Sequence, residues 1–506
     1  MIKTLHPSRA GTSCKRITSI LLALGSWLFV LPPVFAQLNL VKDINTTPTG
    51  STLLDHHYSR FTYAGGKLYF VVKETELWSS SVNGLQARLI KVFLKIDNLT
   101  NVEGTLFLAA DNGGNGIELW KSEGTTETTV LVKDIWPGVG SSDPSNLTNV
   151  NGILYFSAND GSTGRELWKS NGTAAGTQRV KDIMRVRGSS NPGALVAMSG
   201  LLFFVVNDGQ HGYELWKSDG TPVGTAMVKD ITPARRTSSR VSQLTNVNGT
   251  LFFTATEPSG KRTLWKTDGS QQGTTRVTDL LTRYKQLTAV NNTLFFSADD
   301  AIHGDELWKT DGTPEGTVLV KDITPGPTSG SPYEINRLDY LEAAGDHLFF
   351  LARAGARQPK NVWVSNGEEG GTMAITEFSP GELGFFDPLI TSFKEWVYFT
   401  AQHPRFGRYI YRTNGEVRGE ALFLAKSSQQ LTVAENFLYY VTEGRLWRTD
   451  GENHFAIQGV GIATEGSDPV MITDADGIVY FGAFDGTSHG LWKSDGTAQG
   501  TTLMKR

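Results

Sequence analysis

The sequence predicts an all-β protein, a β-propeller of four-stranded antiparallel blades, on three observations. One position recurs along the chain. Trp78, Trp120, Trp168, Trp216, Trp265, Trp308, Trp363, Trp447 and Trp492 fill it, with Tyr411 once, at spacings of 42, 48, 48, 49, 43, 55, 48, 36 and 45 residues. A period near 45 residues marks a tandem array of supersecondary units. Asn-Gly and Asp-Gly pairs punctuate the units, and they join antiparallel neighbours because both central positions of a type I′ turn need positive φ. The strand segments are apolar at adjacent positions, as in Leu154-Tyr155-Phe156. That pattern fits a sheet covered on both faces, not one with a wet side.

The purest unit, residues 147–183, shows each element in order. Leu147 to Val150 is a short first strand, and Asn151-Gly152 turns the chain back. Ile153 to Ala158 is the second strand, and Asn159 to Gly164 a glycine-punctuated loop. The third strand, Arg165 to Ser170, carries Glu166-Leu167-Trp168. Asn171-Gly172 turns again into a fourth strand, Thr177 to Ile183. Pro and Gly then break the chain before the next unit, as in Trp136-Pro137-Gly138. Side chains alternate across a strand, so Leu167 is expected to pack toward one neighbouring blade and Trp168 toward the other. A buried Trp removes about 150–250 Å² of surface, roughly 4–6 kcal/mol of gross transfer energy. A repeated Trp of this kind is inter-blade packing rather than a repeated ligand contact. An open β-solenoid is disfavoured, because its strands run parallel and need no hairpin turns.

Ten units form either one large ring or two five-bladed rings. No linker separates Trp265 from Trp308, where a five-plus-five division would fall, and this favours one ring. Fourth-strand sequences stand at both ends, Leu40 to Ile44 and Thr501 to Lys505. An N-terminal strand that completes the last blade would leave the C-terminal one redundant or frayed.

Residues 1–36 read as a secretory signal peptide, and 37–506 as the propeller. Lys3, Arg9, Lys15 and Arg16 precede an apolar run, Ile20 to Val30, which ends in Val34-Phe35-Ala36. The run is too short and interrupted for a membrane span of about 20 residues, and no second run of that length follows. The expected location is secreted or cell-surface. The only cysteine, Cys14, lies in the leader, so cysteine metal sites and thiol nucleophiles are excluded from the expected mature chain. Without the leader, 43 Lys+Arg face 51 Asp+Glu, a net of −8, which argues against a nucleic-acid partner.

Glu214-Leu215-Trp216-Lys217-Ser218-Asp219-Gly220-Thr221 recurs, with small changes, at 118–125 and 306–313. This pattern resembles the bacterial ELWxxDGT repeat proteins, across essentially the whole expected mature chain. Copies at 361–368 and 409–416 depart from it, and the first copy lacks Asp-Gly-Thr. The resemblance implies a secreted or surface-exposed β-repeat protein and no particular chemistry.

In a propeller, the loops between strands two and three share a face with the connectors between blades. Here that face carries Asp160-Gly161, Asp208-Gly209 and Asp485-Gly486, with looser versions at Asp111 and Asp300. Aspartate oxygens suit calcium, but no loop holds the Asp-x-Asp-x-Asp spacing, and Asp is an ordinary turn initiator. No cofactor or metal is therefore expected, with calcium as the alternative. The Glu before Leu-Trp and the Lys of Val-Lys-Asp-Ile are expected to pair once per blade. Histidines are scattered, phosphate and dinucleotide fingerprints are absent, and no carboxylate pair stands out. No catalytic residue is assigned. The copies diverge most around 324–345 and 353–416. Long insertions on a rigid scaffold often carry function. Tyr333, Arg337, Asp339, Tyr340, Arg353 and Arg357 are thus the candidate ligand-binding residues. The expected function is a non-catalytic binding, adhesion or scaffold module for a protein or glycan at the cell surface. The alternative is an extracellular carbohydrate-active hydrolase or lyase on a propeller.

Overall fold

A computed structural model describes residues 58–505, apart from 82–87, 185–187, 234–236, 326–337, 356–359, 376–389, 395, 404–406, 414–430, 435–436, 443–444, 457–468, 476, 485–488 and 498. The described residues all belong to one unit, Leu38–Arg506, and contain no helix. Ten antiparallel sheets follow one another. Blades 1 to 5 span Tyr58–Val92, Lys95–Lys133, Ser145–Lys181, Gly193–Met227 and Ser242–Arg276. Blades 6 to 10 span Thr282–Lys321, Asp339–Ala374, Ile390–Thr413, Leu431–Ala456 and Val470–Lys505. Nine have four strands in sequence order, and blade 8 has three among the described residues.

The first strands touch one another in an unbroken cycle, blade 1 to blade 10 and back to blade 1. One ten-bladed ring results, with first strands innermost, and two rings of five are excluded. Most first strands carry a bulge. In blade 3, Ser145 lies opposite Ser157 while Thr148 lies opposite Tyr155, with Asn146 between them at φ +56°. The amide at this position ties blade to blade. Asn98 Nδ2 donates to Pro144 O (3.1 Å) and Asn146 Nδ2 to Pro192 O (3.4 Å), while Gln286 Oε1 accepts from Leu341 N (3.2 Å).

Packing between blades follows the two-residue strand period. Phe107, Leu119 and Val132 of blade 2, with Ile135 just beyond it, meet Leu154, Phe156, Ala158 and Trp168 of blade 3. Leu167, with Tyr155 and Val180, faces forward onto Leu202, Phe204 and Trp216. In these pairs the Leu thus faces the following blade and the Trp the preceding one. Trp168 stands opposite Phe156 in register. Tyr411 stands opposite Phe399 in the same place, stacked at 5.4 Å.

Among the described residues the ring closes without strand exchange. The C-terminal strand Thr502–Lys505 pairs in blade 10, Leu491 with Lys505 and Trp492 with Leu503, so it is neither redundant nor frayed. The sequence Leu40–Ile44 lies outside the described residues. Tyr480, Leu491 and Met504 of blade 10 pack on Phe70 and Trp78 of blade 1, and Lys505 Nζ sits 4.5 Å over the Trp78 ring. The two terminal blades therefore meet by the side-chain packing used at the other interfaces.

Candidate functional site

The signature residues build the turn between strands three and four, on the face opposite the connectors. In blade 4, Asp219 Oδ1 accepts from Thr221 N (2.8 Å) and Thr221 Oγ1 (2.7 Å). Thr221 Oγ1 accepts from Gly224 N (2.9 Å), and Thr225 Oγ1 donates to Thr221 O (2.6 Å). Ser218 Oγ lies 2.7 Å from Thr225 Oγ1 and accepts from Gly220 N (2.9 Å). The Thr221 hydroxyl and N–H hold the Asp219 carboxyl below its usual range. The same net recurs at 170–177, 310–317 and 494–501. Gly of the turn has positive φ and lies against an aromatic ring of the preceding blade, Gly269 (+91°) on Phe203 and Gly312 (+93°) on Phe252. The Asp-Gly-Thr signature is thereby explained by local turn chemistry and inter-blade fit.

The expected Glu–Lys pair does not form, because the two side chains diverge. Glu166, fully buried, turns under its own connector. It accepts from Ile183 N (3.0 Å), Met184 N (3.4 Å), Ser190 N (3.3 Å) and Ser190 Oγ (2.6 Å). Glu118 and Glu214 are held alike. Burial raises all three carboxyl groups against these donors, and raises Glu306 to about 8. The lysines reach forward instead. Lys133 Nζ donates to Thr177 O (2.8 Å) and Lys229 Nζ to Thr274 O (2.7 Å), each crossing the next blade's Trp ring at 5.9 and 5.7 Å.

The Asp-Gly loops on the connector face are closed by their own turns. Asp160 Oδ1 accepts from Ser162 N and Thr163 N (both 2.8 Å). Asp208 Oδ1 accepts from Gln210 N (2.9 Å) and His211 N (2.8 Å), and Oδ2 lies 2.6 Å from His211 Nδ1. Asp300 and His303 repeat this arrangement. Burial alone would raise Asp208, but the His211 N–H and imidazole hold it low, and the same bond raises His211. No group of three or more His, Cys, Asp or Glu is placed to hold a metal among the described residues. Asp485 and Gly486 lie outside them.

Of the candidate ligand residues, Tyr333, Arg337 and Arg357 lie outside the described residues. Asp339 opens the inner strand of blade 7 opposite Leu351, two residues before Arg353, so both stand at the connector end of that blade. Arg353 is half-buried, and its carbonyl accepts from Thr324 Oγ1 (2.6 Å). Tyr340, exposed and at φ +56°, occupies the inner bulge position that Asn98, Asn146 and Gln286 use to bridge blades.

Two features escaped the sequence. His454 is buried in blade 9, its Nδ1 3.1 Å from Tyr440 Oη, and burial, then the Arg412 charge, lowers it to about 4. A cleft of about 750 Å³ opens on the connector face between blades 3 and 4, walled by Lys181, Asp182, Met184, Asp208, Gln210 and Trp216. The signal available for the cleft was Met184, standing where the preceding unit has Trp136.

No protein-family profile and no curated protein matches the chain. Among solved structures it is similar to the computationally designed Ika8 protein (12% identity, 90% of this chain and 99% of that one, TM-score 0.36). A structure from a study of two prolyl endopeptidases is similar at 10% identity, over 69% of this chain and 55% of that one, with TM-score 0.35. The β-propeller domain of the Trilobed protease from Pyrococcus furiosus, described as having an open velcro topology, is similar at 13% identity, over 62% and 97%, with TM-score 0.30.

Proposed function

We propose that this is an exported propeller of the ELWxxDGT repeat kind, acting as a non-catalytic binding, adhesion or scaffold module at the cell surface. One observation carries the reading, a division of labour between the two faces. The repeated residues are consumed by scaffold: Trp and Leu in packing, Asp-Gly-Thr in turns, Glu under connectors. The connectors differ from blade to blade in length and composition, as loops that recognise partners do on rigid scaffolds. Raised carboxyl groups are the usual mark of an acid catalyst, but Glu118, Glu166, Glu214 and Glu306 are at most 1% exposed. They sit where a substrate does not reach.

Array binding of the purified chain, on glycans and on cell-surface protein extracts, tests the reading. A defined, saturable set of ligands is expected. Turnover of a polysaccharide without such binding would replace it with the hydrolase or lyase alternative.

A further inference from the structure

Between blades 2 and 3 the protein fills its own cleft. Trp136 follows Ile135 at the start of the connector, and its indole lies on the bare faces of two glycines. A Cβ on Gly161 would fall 2.5 Å from its Cε2, and one on Gly140 2.5 Å from its Cγ. One blade on, Met184 holds the same place. Ile183 N and Met184 N donate to Glu166 as Ile135 N and Trp136 N donate to Glu118. Gly209 is the counterpart of Gly161, with φ +79° against +76°. Met184 lies along it less closely than the indole does on Gly161, its terminal methyl 3.2 Å and its Cγ 3.6 Å from where a Cβ would stand. A thioether thus stands where the neighbouring interface has an indole, and the cleft of about 750 Å³ lies beside it.

We propose that this cleft is a socket for an aromatic ring, an indole above all, carried by a protein partner. The proposal rests on the binding-module reading and gives it a partner class. Shape is the first argument, since the blade 2–3 interface shows what fits over this glycine. Chemistry is the second. Met adapts to an incoming ring and makes favourable sulfur–aromatic contacts. Size is the third, because the volume falls in the range of ligand sites and exceeds one ring, leaving room for flanking residues. A sugar is less well served. The Lys181 ammonium already lies over the Trp216 ring at 5.7 Å, so that face is not open for stacking. Buried aromatic anchors are also the side chains that dominate protein interfaces.

The test is ligand-observed NMR titration of the purified chain with N-acetyltryptophanamide. N-acetylleucinamide and methyl β-glucopyranoside serve as apolar and sugar controls. The tryptophan amide is expected to bind in about the millimolar range and the controls at least about tenfold more weakly. Met184→Trp copies the blade 2 solution and should weaken binding about tenfold or more. Trp136→Gly should open a second, homologous socket and double the number of sites. If Trp136→Gly fails to fold, Met184→Trp decides alone, since a tryptophan already occupies the homologous position one blade away. Equal binding of either control, or no effect of Met184→Trp, overturns the socket. Array ligands that persist in Met184→Trp, with no binding of the tryptophan amide, overturn the socket while leaving the binding-module reading intact.

Discussion

Gly269→Ala separates two reasons for the turn glycine. Gly269 has φ +91°, and a Cβ there would lie 3.0 Å from Phe203 Cζ, the end of a fully buried ring in the preceding blade. Gly260 has φ +81° and nothing within 4 Å of the same point. A left-handed backbone costs an L-residue roughly 1–2 kcal/mol. That cost is common to both positions. Only Gly269→Ala adds the steric term, a carbon–carbon approach at least half an ångström inside the usual 3.5–4.0 Å separation. Overpacking of this size adds roughly 1–2 kcal/mol, so Gly269→Ala should destabilise by about 2–4 kcal/mol and Gly260→Ala by about 1–2 kcal/mol. Urea midpoints measure both, and amide exchange at Gly273 and Thr274 places the effect in the turn. Equal midpoint shifts for the two variants would refute the claim that this turn is fitted to the preceding blade.

Three further outcomes follow from the same geometry. His454 titrates near 4 in the folded protein against about 6.5 unfolded. Below pH 6.5 the unfolded chain therefore gains the proton first, and stability falls as pH drops from 6.5 to 4. The loss is about 3 kcal/mol, and wild-type and His454→Asn urea midpoints, compared across that window, should diverge at neutral pH and converge in acid. Glu166→Gln replaces an acceptor of four donors by a group that must turn an N–H toward some of them. It should cost about 3 kcal/mol, with faster exchange of the Ile183 and Ser190 amides. Trp168→Ala should cost about 3–5 kcal/mol in thermal unfolding, while Trp168→Tyr should cost clearly less, because Tyr411 already fills that position in blade 8.

The architecture was legible because its signals are local. Asn151-Gly152 announces a hairpin, and adjacent Leu167 and Trp168 announce two covered faces. The strand period alone then decides that they face opposite neighbours. Closure was not legible, since Leu40–Ile44 and Thr501–Lys505 read as equivalent fourth strands, and only the pairing with Leu491 and Trp492 places the C-terminal one in blade 10. The Glu–Lys pair misled because sequence separation says nothing of direction. Glu166 turns back under its connector, where Ser190 waits, and Lys181 goes forward over Trp216. The cleft depends on a difference in side-chain volume between Trp136 and Met184, set against a glycine in the next blade. No pattern within one repeat encodes that. Tyr340 stands in an irregular stretch of sequence, yet its backbone obeys the inner-bulge geometry of the regular blades.

Closure by side-chain packing alone, among the described residues, makes the seam between blades 10 and 1 equivalent to any other joint of the ring. Because no strand is borrowed across the seam between blades 10 and 1 among the described residues, moving the termini to another connector would divide no sheet. Circular permutants opened between blades 5 and 6, for instance, need only a linker across the present seam to keep every hairpin whole. The same property lets a gene gain or lose one unit without stranding a partner strand, a route by which arrays of this kind reach an unusual blade number.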